Sequence, residues 1–187
     1  MAAPGIASWS YLQMKTFWKL RRQTVGRSGE IIRKWLDHTK LSVANDPNEA
    51  THYCYTVNLD SLKASVYRLK SDPEYVYFGI NLGIPPANYK ALDSITSSSK
   101  STMIKDLRIE LIRFGIEFSG LTHPLRTITL TDNIVFDQNL TRPIFLGKIL
   151  FMFRAQGLVG ELIDAEAKRF EVSLIMSMNQ PTTSQST

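Results

Sequence analysis

The chain has 187 residues, 43% hydrophobic and 21% charged. This ordinary globular mix excludes a disordered, collagenous or coiled-coil chain and leaves room for one domain with a sizeable core. A single Cys excludes an internal disulfide framework, and one Cys with three His is a poor basis for an all-protein zinc site, so neither a metal nor a cofactor is expected. The net charge of +5 is uneven: residues 1–40 hold eight Lys or Arg against Glu30 and Asp37, while the remainder holds 14 basic and 15 acidic residues. A basic arm on a nearly neutral body is therefore expected, with any anionic contact made by the arm.

The longest apolar stretch, Ile144 to Phe153, is broken by Lys148 and is half of the roughly 20 residues that span a bilayer, so no transmembrane helix is expected. Lys15, Lys19, Arg21 and Arg22 interrupt the aromatic segment from Trp9 and deny it the apolar core of a secretory signal, which predicts a cytoplasmic, reducing setting. An acid-free stretch over residues 1–29 also fits an organellar transit peptide. Asn139-Leu140-Thr141 spells a glycosylation sequon but, without secretion, reads as a polar turn.

In chain order, Met1 to Ala7 reads as a loose terminus. From Ser8, an N-cap residue type, Trp9, Leu12, Thr16 or Phe17 and Leu20 recur at helical spacing and predict a helix over 9–24. Gly26 and Gly29 punctuate; Ser28 is then expected to cap a second helix with the stripe Ile31, Ile32, Trp35 and Leu36, ending near Lys40. Asn45-Asp46-Pro47-Asn48 reads as a loop. His52 to Leu59 and Ala64 to Leu69, parted by Asp60-Ser61, predict a strand pair. After the turn Ser71-Asp72-Pro73, the run Tyr75 to Leu82 predicts a central strand, apolar on both faces.

Ala87 to Ile95 is read as a short helix. Met103, Ile104, Leu107, Leu111 and Phe114 predict a helix over 100–114, closed by Gly115. Ile116 to Phe118 and Arg126 to Thr131 read as strands, the second continuing through Asn133 to Phe136 past a turn or bulge. Pro143 opens a last helix with Ile144, Phe145, Ile149, Met152 and Phe153 on its core face, interrupted at Gln156-Gly157 and resuming over Leu158 to Met178. The domain reading is a basic aromatic arm over 1–29, a single α+β domain over 30–179 and a disordered tail over 180–187. The element order α-β-β-β-α-β-β-α, without βαβ alternation, predicts an α+β fold: a mostly antiparallel sheet covered by helices on one side, preceded by the extra amphipathic helix.

The segments Met103-Ile104-Lys105-Asp106-Leu107-Arg108-Ile109-Glu110-Leu111, Gly115-Ile116-Glu117-Phe118 and Ile134-Val135-Phe136-Asp137-Gln138-Asn139-Leu140-Thr141-Arg142 resemble an uncharacterised prokaryotic, largely archaeal family of small α+β domains. The resemblance covers residues 30–155 and argues against a transit peptide. The order of elements is also similar to the type III secretion chaperone fold. That likeness implies homodimers that bind segments of other proteins, although fold analogy transfers no activity. The helix over 9–24 and the chain after 157 have no counterpart in the family, and no catalytic residues carry over from it.

The chemistry-bearing residues are sparse. His52 and Cys54 are two apart on a predicted strand and would share a face, but two ligands do not make a metal site, with His38 and His123 remote in sequence. Cys54 as a nucleophile would need a base such as His52 or His38, and no motif supports it. Glu161, Asp164 and Glu166 read as a solvated helix face, and Asp132 and Asp137 as turn residues. Gly79 and Gly83 form no phosphate-binding motif.

The arm concentrates Trp9, Tyr11, Phe17 and Trp18 beside Lys15, Lys19, Arg21, Arg22 and Arg27. Its plainest reading is an amphipathic helix packed on the body or on a second copy. Partner recognition through Trp9, Leu12, Phe17 and Trp18 follows from the same pattern. Anion binding through Lys15, Lys19, Arg21, Arg22 and Arg27, on a membrane surface or nucleic acid, is the remaining reading. The expectation is a non-enzymatic protein-binding module, adaptor or chaperone-like and homodimeric, with no catalytic residues and no small-molecule substrate. Its alternative is an anion-binding module acting through the arm.

Overall fold

A computed structural model describes residues 27–86, 88, 92–93 and 96–178, with side chains through Arg169. Helix α1 covers 27–37. Strands β1 (Ser42–Asn45), β2 (Thr51–Leu59), β3 (Leu62–Leu69) and β4 (Tyr75–Gly83) follow, then α2 (Ser97–Phe114), β5 (Glu117–Ser119), β6 (Thr127–Val135) and α3 (Arg142–Met178). The sheet is antiparallel throughout, in the order β1-β2-β3-β4-β6-β5. The α+β class therefore holds, with one strand more than the sequence predicts.

That strand is β1. Ser-Val-Ala-Asn shows no alternation, and only Val43 is even partly buried, so its strand character comes from pairing with β2 (Val43 with Val57, Asn45 with Tyr55) and not from its own residues. In α1 the buried face is Ile32 and Leu36, four residues apart, while Ile31 is 38% exposed; one residue turns the helix by about 100°, which carries Ile31 off the core face. Ser28, expected as a cap, lies inside the helix and is fully buried.

The β4–β6 register runs unbroken from Tyr75 with Val135 to Gly83 with Thr127, so the bulge expected near Asp132 does not form. Asp132 instead faces the helical layer, where Lys148 reaches it at 2.5 Å. The interruption expected at Gln156-Gly157 is absent too: α3 is one helix of 37 residues. A helical glycine costs about 1 kcal/mol, which the burial of Met152, Phe153, Val159 and Ile163 on either side outweighs. Over the Ala87–Ile95 segment, Pro86, Asn88, Leu92 and Asp93 are helical and Leu92 is buried. Thr96 caps α2 by accepting from the Ser99 N–H, which starts the helix three residues before the expected 100, and Gly115 ends it at φ 69°, as the sequence predicts.

The core lies between the sheet and the helices. Phe145 of α3 packs against Phe78 of β4 (ring centroids 5.6 Å apart) and Trp35 of α1 (5.5 Å), and α2 joins through Phe114 against Phe151. Arg142–Arg169 of α3 is long and apolar enough to cross a membrane by length and composition, unlike the shorter stretch read from the sequence; Phe145, Ile149, Met152 and Ile163 within it are buried in the core.

Candidate functional site

The residue alternation of a strand gives the sheet two faces. Val66, Phe78, Ile80, Ile128 and Leu130 point into the core. The opposite face carries the cross-strand row Thr56, Ser65, Gly79, Thr131 and Glu117, and beside it the row Cys54, Tyr67, Tyr77 and Asn133. Among the described residues no helix packs on this face.

Its centre is aromatic. The rings of Tyr67 and Tyr77 stack with centroids 5.6 Å apart, and Tyr75 tilts against Tyr77 at 6.2 Å. Gly79 makes room for this cluster: a Cβ there would stand 3.3 Å from the Tyr67 ring. The Tyr77 hydroxyl donates to the Asp72 carboxylate, and the turn bearing Asp72 is pinned from beneath by Arg68, whose Nε donates to the Pro73 carbonyl at 2.7 Å and whose guanidinium lies over Phe136. Asp46 accepts from Thr56 at 3.3 Å. Asp46 and Asp72 at one end and Glu117 at the β5 edge outnumber Lys63, which shares the face through its pairing with Asn58. The surface is a half-buried tyrosine patch with an acidic rim.

The hydrogen bond to Asp72, with some burial, pushes the Tyr77 phenol up to about 12. A raised folded-state value favours the protonated phenol, so the associated stability is intact below the ordinary pH of about 10 for tyrosine and is lost as pH rises toward 12. Burial also raises Tyr53, Tyr55 and Tyr67, so ultraviolet titration should show several late-ionising phenols, one fewer in Tyr77→Phe, and the variant should lose less stability than the parent over that alkaline window; equal losses would contradict the pairing.

His52 and Cys54 do not assemble a catalytic pair. His52 sits at a register shift between Thr51 and Tyr53. Burial, then Arg68 and Lys70, lower its basicity. Burial first and then Asp46 push the Cys54 thiol up, the opposite of an activated nucleophile. Iodoacetamide at neutral pH should therefore alkylate Cys54 slowly in the folded chain and much faster in denaturant; fast labelling of the native protein would overturn this assignment. His38 hydrogen-bonds the Lys34 carbonyl, and His123 lines a separate groove of about 520 Å³ with Lys100, Lys105 and Arg108. There Lys100 and Arg108 donate to the carbonyls of Asp93 and Leu121. Asp164 accepts from Asn88, Glu166 pairs with Arg169, and Asp137 closes its own turn. No group of three metal-ligating side chains forms among the described residues.

Of the residues the sequence singles out in the arm, Trp9, Leu12, Lys15, Phe17, Trp18, Lys19, Arg21 and Arg22 lie outside the described residues. Arg27 is the first described residue of α1 and is exposed. Two adjoining depressions connect the start of α1 with the uncovered face: one of about 450 Å³ lined by Gly29, Arg33, Asn45, His52 and Tyr53, the next of about 360 Å³ reaching Cys54. They exist because β1 pairing stops at Tyr55, leaving the first residues of β2 without a strand on that side. Composition and motifs do not single out the tyrosine cluster, although Tyr75 and Tyr77, two apart in a predicted strand, already place two rings on one face.

These features define a two-layer α+β domain with one helical and one uncovered face. A family model described as "Uncharacterized conserved protein (DUF2299)" matches residues 29–163, and the chain belongs to that family. A crystal structure of an uncharacterized protein from Methanothermobacter thermautotrophicus is similar in fold, with a TM-score of 0.69 and 24% identity over 78% of this chain and 99% of that one. No curated protein matches.

Proposed function

We propose that the chain is a non-enzymatic protein-binding module, adaptor or chaperone-like, that holds basic, aromatic segments on the uncovered face of its sheet. The observation that carries this reading is the Tyr67–Tyr77–Tyr75 cluster, set between Asp46, Asp72 and Glu117. Tyrosine offers apolar area with a polar tip and a π-face for Arg or Lys, and the carboxylates favour cationic partners. The scattered ionisable groups and the raised Cys54 thiol favour recognition over turnover.

A labelled basic aromatic peptide should bind the protein in an anisotropy titration, and its charge-reversed analogue should not. Tyr67→Ala with Tyr77→Ala should weaken binding about tenfold or more, since aromatic contacts contribute roughly 0.5–1.5 kcal/mol each. Equal affinity for both peptides would refute the reading. The likeness to type III secretion chaperones and the expected homodimer support it only by analogy. The anion-binding alternative predicts salt-sensitive binding to duplex DNA, RNA or anionic liposomes that Tyr67→Ala and Tyr77→Ala leave unchanged.

A further inference from the structure

We propose that the uncovered sheet face is the docking site for this chain's own N-terminal arm, residues 9–24. The proposal rests on the reading of that face as a receptor for basic aromatic segments, and it names the first such segment.

Three observations meet here. The arm joins α1 beside Gly29, where the Tyr55 hydroxyl donates to the Gly29 carbonyl. From there the two depressions pass His52 and Tyr53 along the start of β2 and reach Cys54, at the near end of the uncovered face, so α1 begins beside the sheet edge that leads to this face. Second, the charges are complementary: the arm carries Lys15, Lys19, Arg21 and Arg22 and no acid, while the face is rimmed by Asp46, Asp72 and Glu117. Third, the dimensions agree. The expected helix of sixteen residues would be about 24 Å long, and a six-stranded sheet is about 24 Å across. The arm's aromatic side meets stacked phenols, and its cations meet carboxylates and ring faces. The family match begins at residue 29, so the arm lies outside the matched residues.

The test uses the full chain carrying Cys54→Ser and Ser10→Cys, with a nitroxide on the new thiol. Amide signals of Ser65, Tyr67, Gly79 and Thr131 are expected to broaden in dilute, uniformly labelled protein, while those of α2 at Ile109 and Ile112 do not. Charge reversal at Lys15, Lys19, Arg21 and Arg22 should abolish the broadening. Broadening on the helical layer, or none on the face, overturns the proposal. So does broadening seen only when nitroxide-bearing unlabelled protein is mixed with isotope-labelled protein without nitroxide, which would assign the face to a second copy's arm. Binding of an added basic aromatic peptide without arm contact would leave the receptor reading intact and refute this inference alone; failure of that peptide to bind even the charge-reversed chain, whose arm has left the face, would refute the receptor reading.

Discussion

Phe145→Ala is expected to be the most damaging single truncation in the core, costing about 3–5 kcal/mol. The side chain is fully buried and packs against both Trp35 of α1 and Phe78 of β4. Its loss opens a cavity where the helical layer meets the centre of the sheet. For a chain of this size such a loss lowers Tm by roughly 6–20 °C. It would consume much of the roughly 5–15 kcal/mol that holds a typical domain together. Ile112→Ala is the control: at 67% exposed it should move stability by no more than about 0.5 kcal/mol. Denaturant titrations in which the two variants lose equal stability would mean that the packing is misassigned.

Gly120→Ala is expected to be nearly as harmful for a different reason. Gly120 has φ 82°, and an added Cβ would stand 2.3 Å from the Thr127 carbonyl oxygen, so the backbone itself must move. The left-handed conformation alone costs a residue with a Cβ about 1–2 kcal/mol, and the steric conflict adds to it. Gly115→Ala separates the two effects, since Gly115 has φ 69° with open space around its Cβ position and should pay only the conformational part. Amide exchange at Glu117–Ser119 should accelerate in Gly120→Ala, because the loop that closes the β5–β6 pair would be displaced; unchanged protection there would contradict this account.

Most of the fold was legible where apolar residues recur with a single period. Met103, Leu107 and Leu111 announce α2, and all three are buried; Val76, Phe78 and Ile80 announce the core face of β4. Legibility failed where structure depends on a partner far along the chain. β1 exists only through its pairing with β2, and α3 runs through Gly157 because its neighbouring turns are anchored on the sheet. The uncovered face failed to show for the same reason. Tyr67, Tyr77, Cys54 and Asn133 come from four strands, and register alone makes them neighbours, whereas the arm's basic aromatic composition is local and is visible in the sequence by itself.

Chemical-shift mapping of the full chain with its four arm cations reversed, titrated with a basic aromatic peptide, tests most directly whether the tyrosine face recognises other chains. The largest shifts should fall on Cys54, Ser65, Tyr67, Gly79 and Thr131. Shifts confined to the exposed side of α2 and α3, at Ile109, Ile112 and Leu150, or no shifts at saturating peptide, would show that recognition happens elsewhere or not at all.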